Sequence, residues 1–122
     1  MITTNLANSL LSSLISQAGY LGLSTTAPNQ SGGNVSEPSG NGYKRVSYRS
    51  AMGSPSGGSV TNTNEVHFNM ATGPWGTCTH YVLFSAESGG SAMAYGALDN
   101  AITPDNEKVA IVPVGAITMS IS

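Results

Sequence analysis

Ionic side chains are scarce in this chain: lysine, arginine, aspartate and glutamate together fill only ten of 122 positions, against about a quarter in an ordinary soluble domain. A surface so poor in charge repels its neighbours weakly, which suits a chain that packs against copies of itself or against other subunits. The formal charge of −2 is spread without a run of like sign, so electrostatics offers no basis for a nucleic-acid or anionic-lipid partner. The one basic cluster, Lys44, Arg45 and Arg49, reads as a solvated strand face rather than a phosphate site. With Cys78 alone, no internal disulfide forms, unlike most secreted domains of this size. No run of about 18 apolar residues is present. Residues 1–17 also lack the basic start and small-residue cleavage site of a secretory signal. These absences predict a chain made and kept in a cytoplasm until assembly, with no membrane partner.

What fills the space instead is 18 serines, 15 glycines, 11 threonines and 10 asparagines. Such a composition alone would fit a disordered linker, but 39% of residues are hydrophobic and fall in bounded runs, so the chain folds. Its length supports one core without metal or disulfide. A single domain over residues 1–122 is predicted.

The first segment, residues 3–18, reads as a short helix capped by Thr3 or Thr4, with Leu6, Leu10, Leu14 and Ile15 forming an apolar stripe and Leu11 at its edge. At this length it is marginal alone and must dock, on its own sheet or on a neighbouring subunit. Residues 20–26 alternate into a strand. Residues 27–42 then hold two prolines, four glycines and almost nothing apolar, a long loop that serves as a contact arm or as a mobile surface segment. Further strands are predicted at residues 43–49, 59–62, 65–70 (Val66, Phe68 and Met70 inward), 77–85 and 92–98, with residues 99–106 as a turn through Pro104. The run 77–85 is apolar on both faces at Val82, Leu83 and Phe84, as in a central strand. Residues 108–122 place Val109, Ile111, Ile117, Met119 and Ile121 on one parity, broken by Pro113 and Gly115 into two strand halves. About seven short strands with Gly/Pro/Asn turns and no βαβ alternation predict a mainly β fold: an antiparallel β-sandwich carrying one N-terminal α-helix.

Catalytic chemistry is hard to assemble from these residues. His67 and His80 lack zinc-pair spacing, and one cysteine makes no CxxC motif. Cys78 and His80 share a strand face, but their Cβ atoms stand about 6–7 Å apart and no orienting third group is near. The clusters at residues 31–33 and 56–58 lack the Lys-Ser/Thr of a phosphate loop. The expectation is no enzyme, no catalytic, cofactor-binding or metal residue, and no cofactor. Trp75, in a Gly-Pro-Trp-Gly turn, either closes one end of the core or offers a flat face to a sugar.

In order along the chain, Thr4-Asn5-Leu6-Ala7-Asn8, the run from Tyr20 to Pro28, Glu37, Gly42-Tyr43-Lys44-Arg45, the run from Trp75 to Tyr81, Gly89-Gly90 and Tyr95-Gly96-Ala97-Leu98 resemble a family of small tailed-bacteriophage virion proteins, the tail-fibre-like or minor tail proteins. The sequence departs from that pattern at Cys78, where an aliphatic residue is usual, and at Leu23-Ser24, where an aromatic often follows the leucine. The resemblance implies a structural virion subunit assembled in the host bacterial cytoplasm. Its place would be the tail, the baseplate or, as a decoration protein, the capsid. It implies contacts with other virion proteins and with itself as a homo-oligomer, a trimer being the expectation. The alternative is a receptor-binding module that recognises host surface glycan.

Overall fold

The computed structural model describes residues 2–121. One helix, α1 (Thr4–Gln17), precedes eight strands: β1 (Tyr20–Ser24), β2 (Val46–Ser47), β3 (Ser59–Thr61), β4 (Val66–Met70), β5 (Cys78–Phe84), β6 (Ala92–Ile102), β7 (Val109–Val112) and β8 (Thr118–Ser120). A 3₁₀ turn at Arg49–Ala51 separates β2 from β3. All strand pairs are antiparallel, in a four-stranded sheet ordered β2-β1-β5-β6 and two ribbons, β3-β8 and β4-β7. The fold is therefore mainly β with an N-terminal helix, as the turn spacing implied.

Strand alternation explains the layering. On the sheet's inner face, Leu21, Leu23, Tyr81 and Leu83 enter a core shared with Val60, Val66, Phe68, Val112, Ile117 and Met119 of the ribbons and their flanks. The Tyr81 hydroxyl donates to the Thr118 carbonyl at 3.3 Å, joining the two layers. Tyr81 lies over its cross-strand partner Gly96, where an added Cβ would meet that ring. Burial on both faces of β5 holds as expected: Val82, Leu83 and Phe84 are all buried.

The helix has the predicted cap, Thr3 Oγ1 accepting from the Leu6 N–H at 3.3 Å, but not the predicted buried face. Ala7 and Leu11 are buried, whereas Leu6 and Leu10 stay 49% and 41% exposed. The helix packs on β3 and β8, and Asn8 Oδ1 accepts the Gly58 N–H at 3.0 Å, which fixes its roll so that small Ala7 faces the ribbon.

Four further differences have local causes. The strand expected at residues 43–49 shrinks to Val46–Ser47, because the side chain of Tyr43 takes over the pairing of β1. Met70 is exposed, not inward, because the β4-β7 register slips between His67 and Met70. β6 continues to Ile102 through a large irregularity, in which the step from Cys78 to His80 is matched by that from Ile102 to Ala97, so the turn comes later than expected. The final segment does split at Pro113 and Gly115, but its halves join different ribbons. At β8 the predicted parity holds, with Ile117 just before the strand and Met119 within it both buried. In β7 it inverts, with Ala110 and Val112 buried and Val109 and Ile111 exposed.

Asn62 holds that split. Fully buried, its amide donates to the carbonyls of Asn64 and Pro113, both at 2.9 Å, and its Oδ1 accepts the Ile117 N–H at 2.9 Å. Its own carbonyl accepts the Gly115 N–H at 3.1 Å. Each buried backbone group left without a partner costs about 1–3 kcal/mol. Asn62→Ala strands all three side-chain partners, so urea unfolding should show a loss of about 3 kcal/mol or more. A loss under about 1 kcal/mol would show that the knot is dispensable.

Candidate functional site

The outer face of the main sheet is covered by the segment expected to be a contact arm or a mobile loop. It carries neither helix nor strand, and it is pinned along its length by short polar side chains. Ser24 Oγ donates to the Thr26 carbonyl at 2.7 Å and accepts the Ser36 N–H at 3.1 Å. Thr26 Oγ1 donates to the Asn34 carbonyl, and Asn34 Nδ2 donates to that of Ala27 at 2.8 Å. Asn29 Oδ1 closes the tip by accepting the N–H groups of Ser31 and Gly33 at 3.1 and 3.0 Å.

The base of this segment is an ionic knot. Arg45 grips Glu37 in a bidentate pair, Nη2 to Oε1 at 2.7 Å and Nε to Oε2 at 3.0 Å. Its Nη1 donates to the carbonyls of Ala86 and Gly89 at 2.9 and 2.7 Å, and its guanidinium lies 3.5 Å from the centre of the Phe84 ring. Tyr43 donates its hydroxyl proton to Glu37 and accepts the Leu23 N–H at 3.1 Å. In that way it supplies β1 with the partner that β2 is too short to give. A side chain at Gly22 would meet the Phe84 ring, the Tyr43 hydroxyl and the Glu37 carboxylate at 2.7–3.0 Å, so the knot requires glycine there. Beside it opens a shallow cleft of about 520 Å³ lined by Glu37, Lys44, Arg45 and Glu87.

The basic cluster is thus not the solvated face expected of it. Arg45 is consumed by the knot, and Arg49 donates to the carbonyls of Ile15 and Ser16 at the end of α1, where a cation opposes the helix dipole. Lys44 alone is solvated, 3.6 Å from Glu87. Trp75 is buried, its Nε1 donating to the Asn41 carbonyl at 2.8 Å and its ring meeting Tyr43 and Phe68 edge-on at 5.1 and 6.1 Å. It closes the core and turns no face outward. Cys78 is buried, with Gly76 as its polar neighbour, while His80 Nδ1 pairs with Thr79 Oγ1 at 2.8 Å; the two do not form a couple. His67 sits 3.2 Å from Glu65 on an exposed face. Among the described residues no cluster of three His, Cys, Asp or Glu could hold a metal, and no helix is long and apolar enough to cross a membrane.

The open surfaces are of another kind. Leu6 and Leu10 ridge the helix, Met93 and Tyr95 stand 44% and 40% exposed on β6, and Val109, Ile111 and Val114 are exposed near the chain's end. A groove of about 350 Å³ runs between Leu98 and Ile102 on one side and Ile111, Pro113 and Val114 on the other. Exposed apolar patches of this kind commonly mark surfaces that contact other molecules.

Burial keeps several protons in place. It pushes the Cys78 thiol up to about 11 and the Tyr48 hydroxyl up to about 12, and it raises Tyr43 and Tyr81 as well, helped at Tyr43 by the bond to Glu37. These groups are protonated in the folded chain at a pH where the unfolded chain releases them. Their stabilising effect is therefore complete below the ordinary thiol value of 9.0 and is lost as pH climbs towards 12. Chemical denaturation across pH 8–12 should show stability falling steadily above about 9, with Cys78 unreactive to alkylation until the chain unfolds. Flat stability to pH 12 would contradict this.

For the knot, Glu37→Ala leaves an Arg45 side chain that is only 11% exposed without its carboxylate. The expected loss is on the order of 3 kcal/mol, the low end for breaking a buried pair, with faster proteolysis within residues 27–36. Unchanged proteolysis would mean the arm is held without it.

No curated protein matches the chain. The model of the podophage GP4 fiber I protein gp80 family matches residues 2–120, almost the whole sequence, and the chain belongs to that family.

Proposed function

We propose that this chain is a structural subunit of the phage tail, working by self-association and by contacts with neighbouring virion proteins, without a chemical step. The observation that carries the reading is the pairing of ten ionic residues in all with large apolar side chains left open on the helix, on β6 and around the C-terminal groove. The fibre description of the family favours the tail over the head surface. A glycan-reading role would need an exposed aromatic platform, and Trp75 does not supply one.

Contacts of this kind rest on apolar burial and backbone hydrogen bonds, so they depend little on ionic strength. Light scattering on the purified protein should give a multiple of 12.4 kDa. That mass should hold as NaCl rises from about 0.1 to about 1 M, although screening tightens from roughly 10 to 3 Å. A monomer at every concentration, or an oligomer dissolved by salt, would refute the reading.

A further inference from the structure

Resting on the reading of a self-associating subunit, we infer that the free edge of β6 is the contact, and that its occupant is β6 of a second copy, paired antiparallel about a two-fold axis through Tyr95. β6 is an outer strand of the four-stranded sheet. Among the described residues, no hydrogen bond from any loop or other strand reaches its backbone beyond those of β5. An 11-residue edge strand presents a row of unpaired N–H and C=O groups, which proteins usually shield with lysine, proline or a covering element. Here residues 92–97 contain no charge and no proline. The arm that covers the rest of the outer face ends beside Ala92, Met93 and Tyr95, leaving Met93 and Tyr95 exposed.

The register follows from the geometry. The ladder with β5 is regular from Ala94 to Ala97, opposite Leu83 to His80. Met93 is bulged on one side and residues 98–101 on the other, so only a short central stretch is shaped to take a further strand. Two identical antiparallel strands that extend one sheet keep their faces matched only if the axis passes through a residue. Through Tyr95, the axis sets Ala94 against Gly96 and Met93 against Ala97, and it brings the two exposed tyrosines directly opposite each other on the outer face. Aromatic cross-strand pairs stabilise such a junction, and no like charges meet across it, since Asp99 lies outside the paired stretch. The second copy is the fitting occupant because the pairing closes the same open edge on both chains at once. It also implies even-numbered assembly, or the joining of one closed oligomer to the next, in place of an isolated trimer.

Three variants test this. Tyr95→Cys places two thiols on opposed residues about 4.5–5.5 Å apart at Cα, within disulfide reach. Ala97→Cys sets them four positions out of register, about 13 Å apart. Under mild oxidation, Tyr95→Cys should run as a covalent dimer on a non-reducing gel and Ala97→Cys as a monomer; buried Cys78 supplies no competing thiol. Tyr95→Lys puts like charges face to face and should at least halve the solution mass, with an unchanged circular dichroism spectrum. If the parent protein is oligomeric while Tyr95→Cys fails to cross-link and Tyr95→Lys keeps its mass, the β6 contact is wrong and another surface, such as the Leu6–Leu10 ridge, carries the association. If the parent is monomeric throughout, self-association itself fails, and this contact with it.

Discussion

The ion pair between Arg45 and Glu37 decides which surfaces this molecule keeps to itself and which it leaves for others. One guanidinium spans the arm, the β5–β6 turn and the Phe84 ring, and it clamps residues 27–42 over the outer face of the sheet. Through that cover β5 becomes buried on both sides, and Val82 and Phe84 belong to the interior. The cover stops at β6. Its outer side chains and its open edge are what remain, and the functional reading rests on that boundary.

Elsewhere the structure is tied by uncharged side chains that bond to backbone. Asn62 ties the two ribbons, Asn8 seats the helix on Gly58, and Ser24 and Thr26 fasten the arm to β1. Hydroxyls and amides do this work at short range and without long-range fields. That is the physical content of a sequence so rich in serine, threonine and asparagine: polar groups hold the loops in place, while the surface carries little charge.

Elements with strong local signals were legible in the sequence. The capped helix, β1, β3, β4, the central β5 and the break at Pro113 and Gly115 all appear where period and turn chemistry put them. Faces were less legible wherever a tertiary bond overrode local pattern. The roll of α1 depends on Asn8 meeting a glycine fifty residues away, and the parity of β7 on which ribbon it joins. The Arg45–Glu37 knot was missed because an isolated arginine on a strand carries no local sign of its partner. Trp75 was ambiguous for the same reason: only the fold brings Tyr43 and Phe68 to its ring. Tyr95 lay on a correctly predicted strand, yet its exposure is a matter of sheet order, which alternation cannot reveal.

The central claim is that a chain poor in charge is built to meet its own copies along a strand edge. The most direct measurement is a cryo-electron microscopy reconstruction of the intact virion tail at a resolution that traces this chain. It should show neighbouring copies joined through continuous sheet across β6, with residues 27–42 folded over each sheet and Tyr95 at the junction. Copies standing apart from one another, each with β6 open to solvent, would contradict the account.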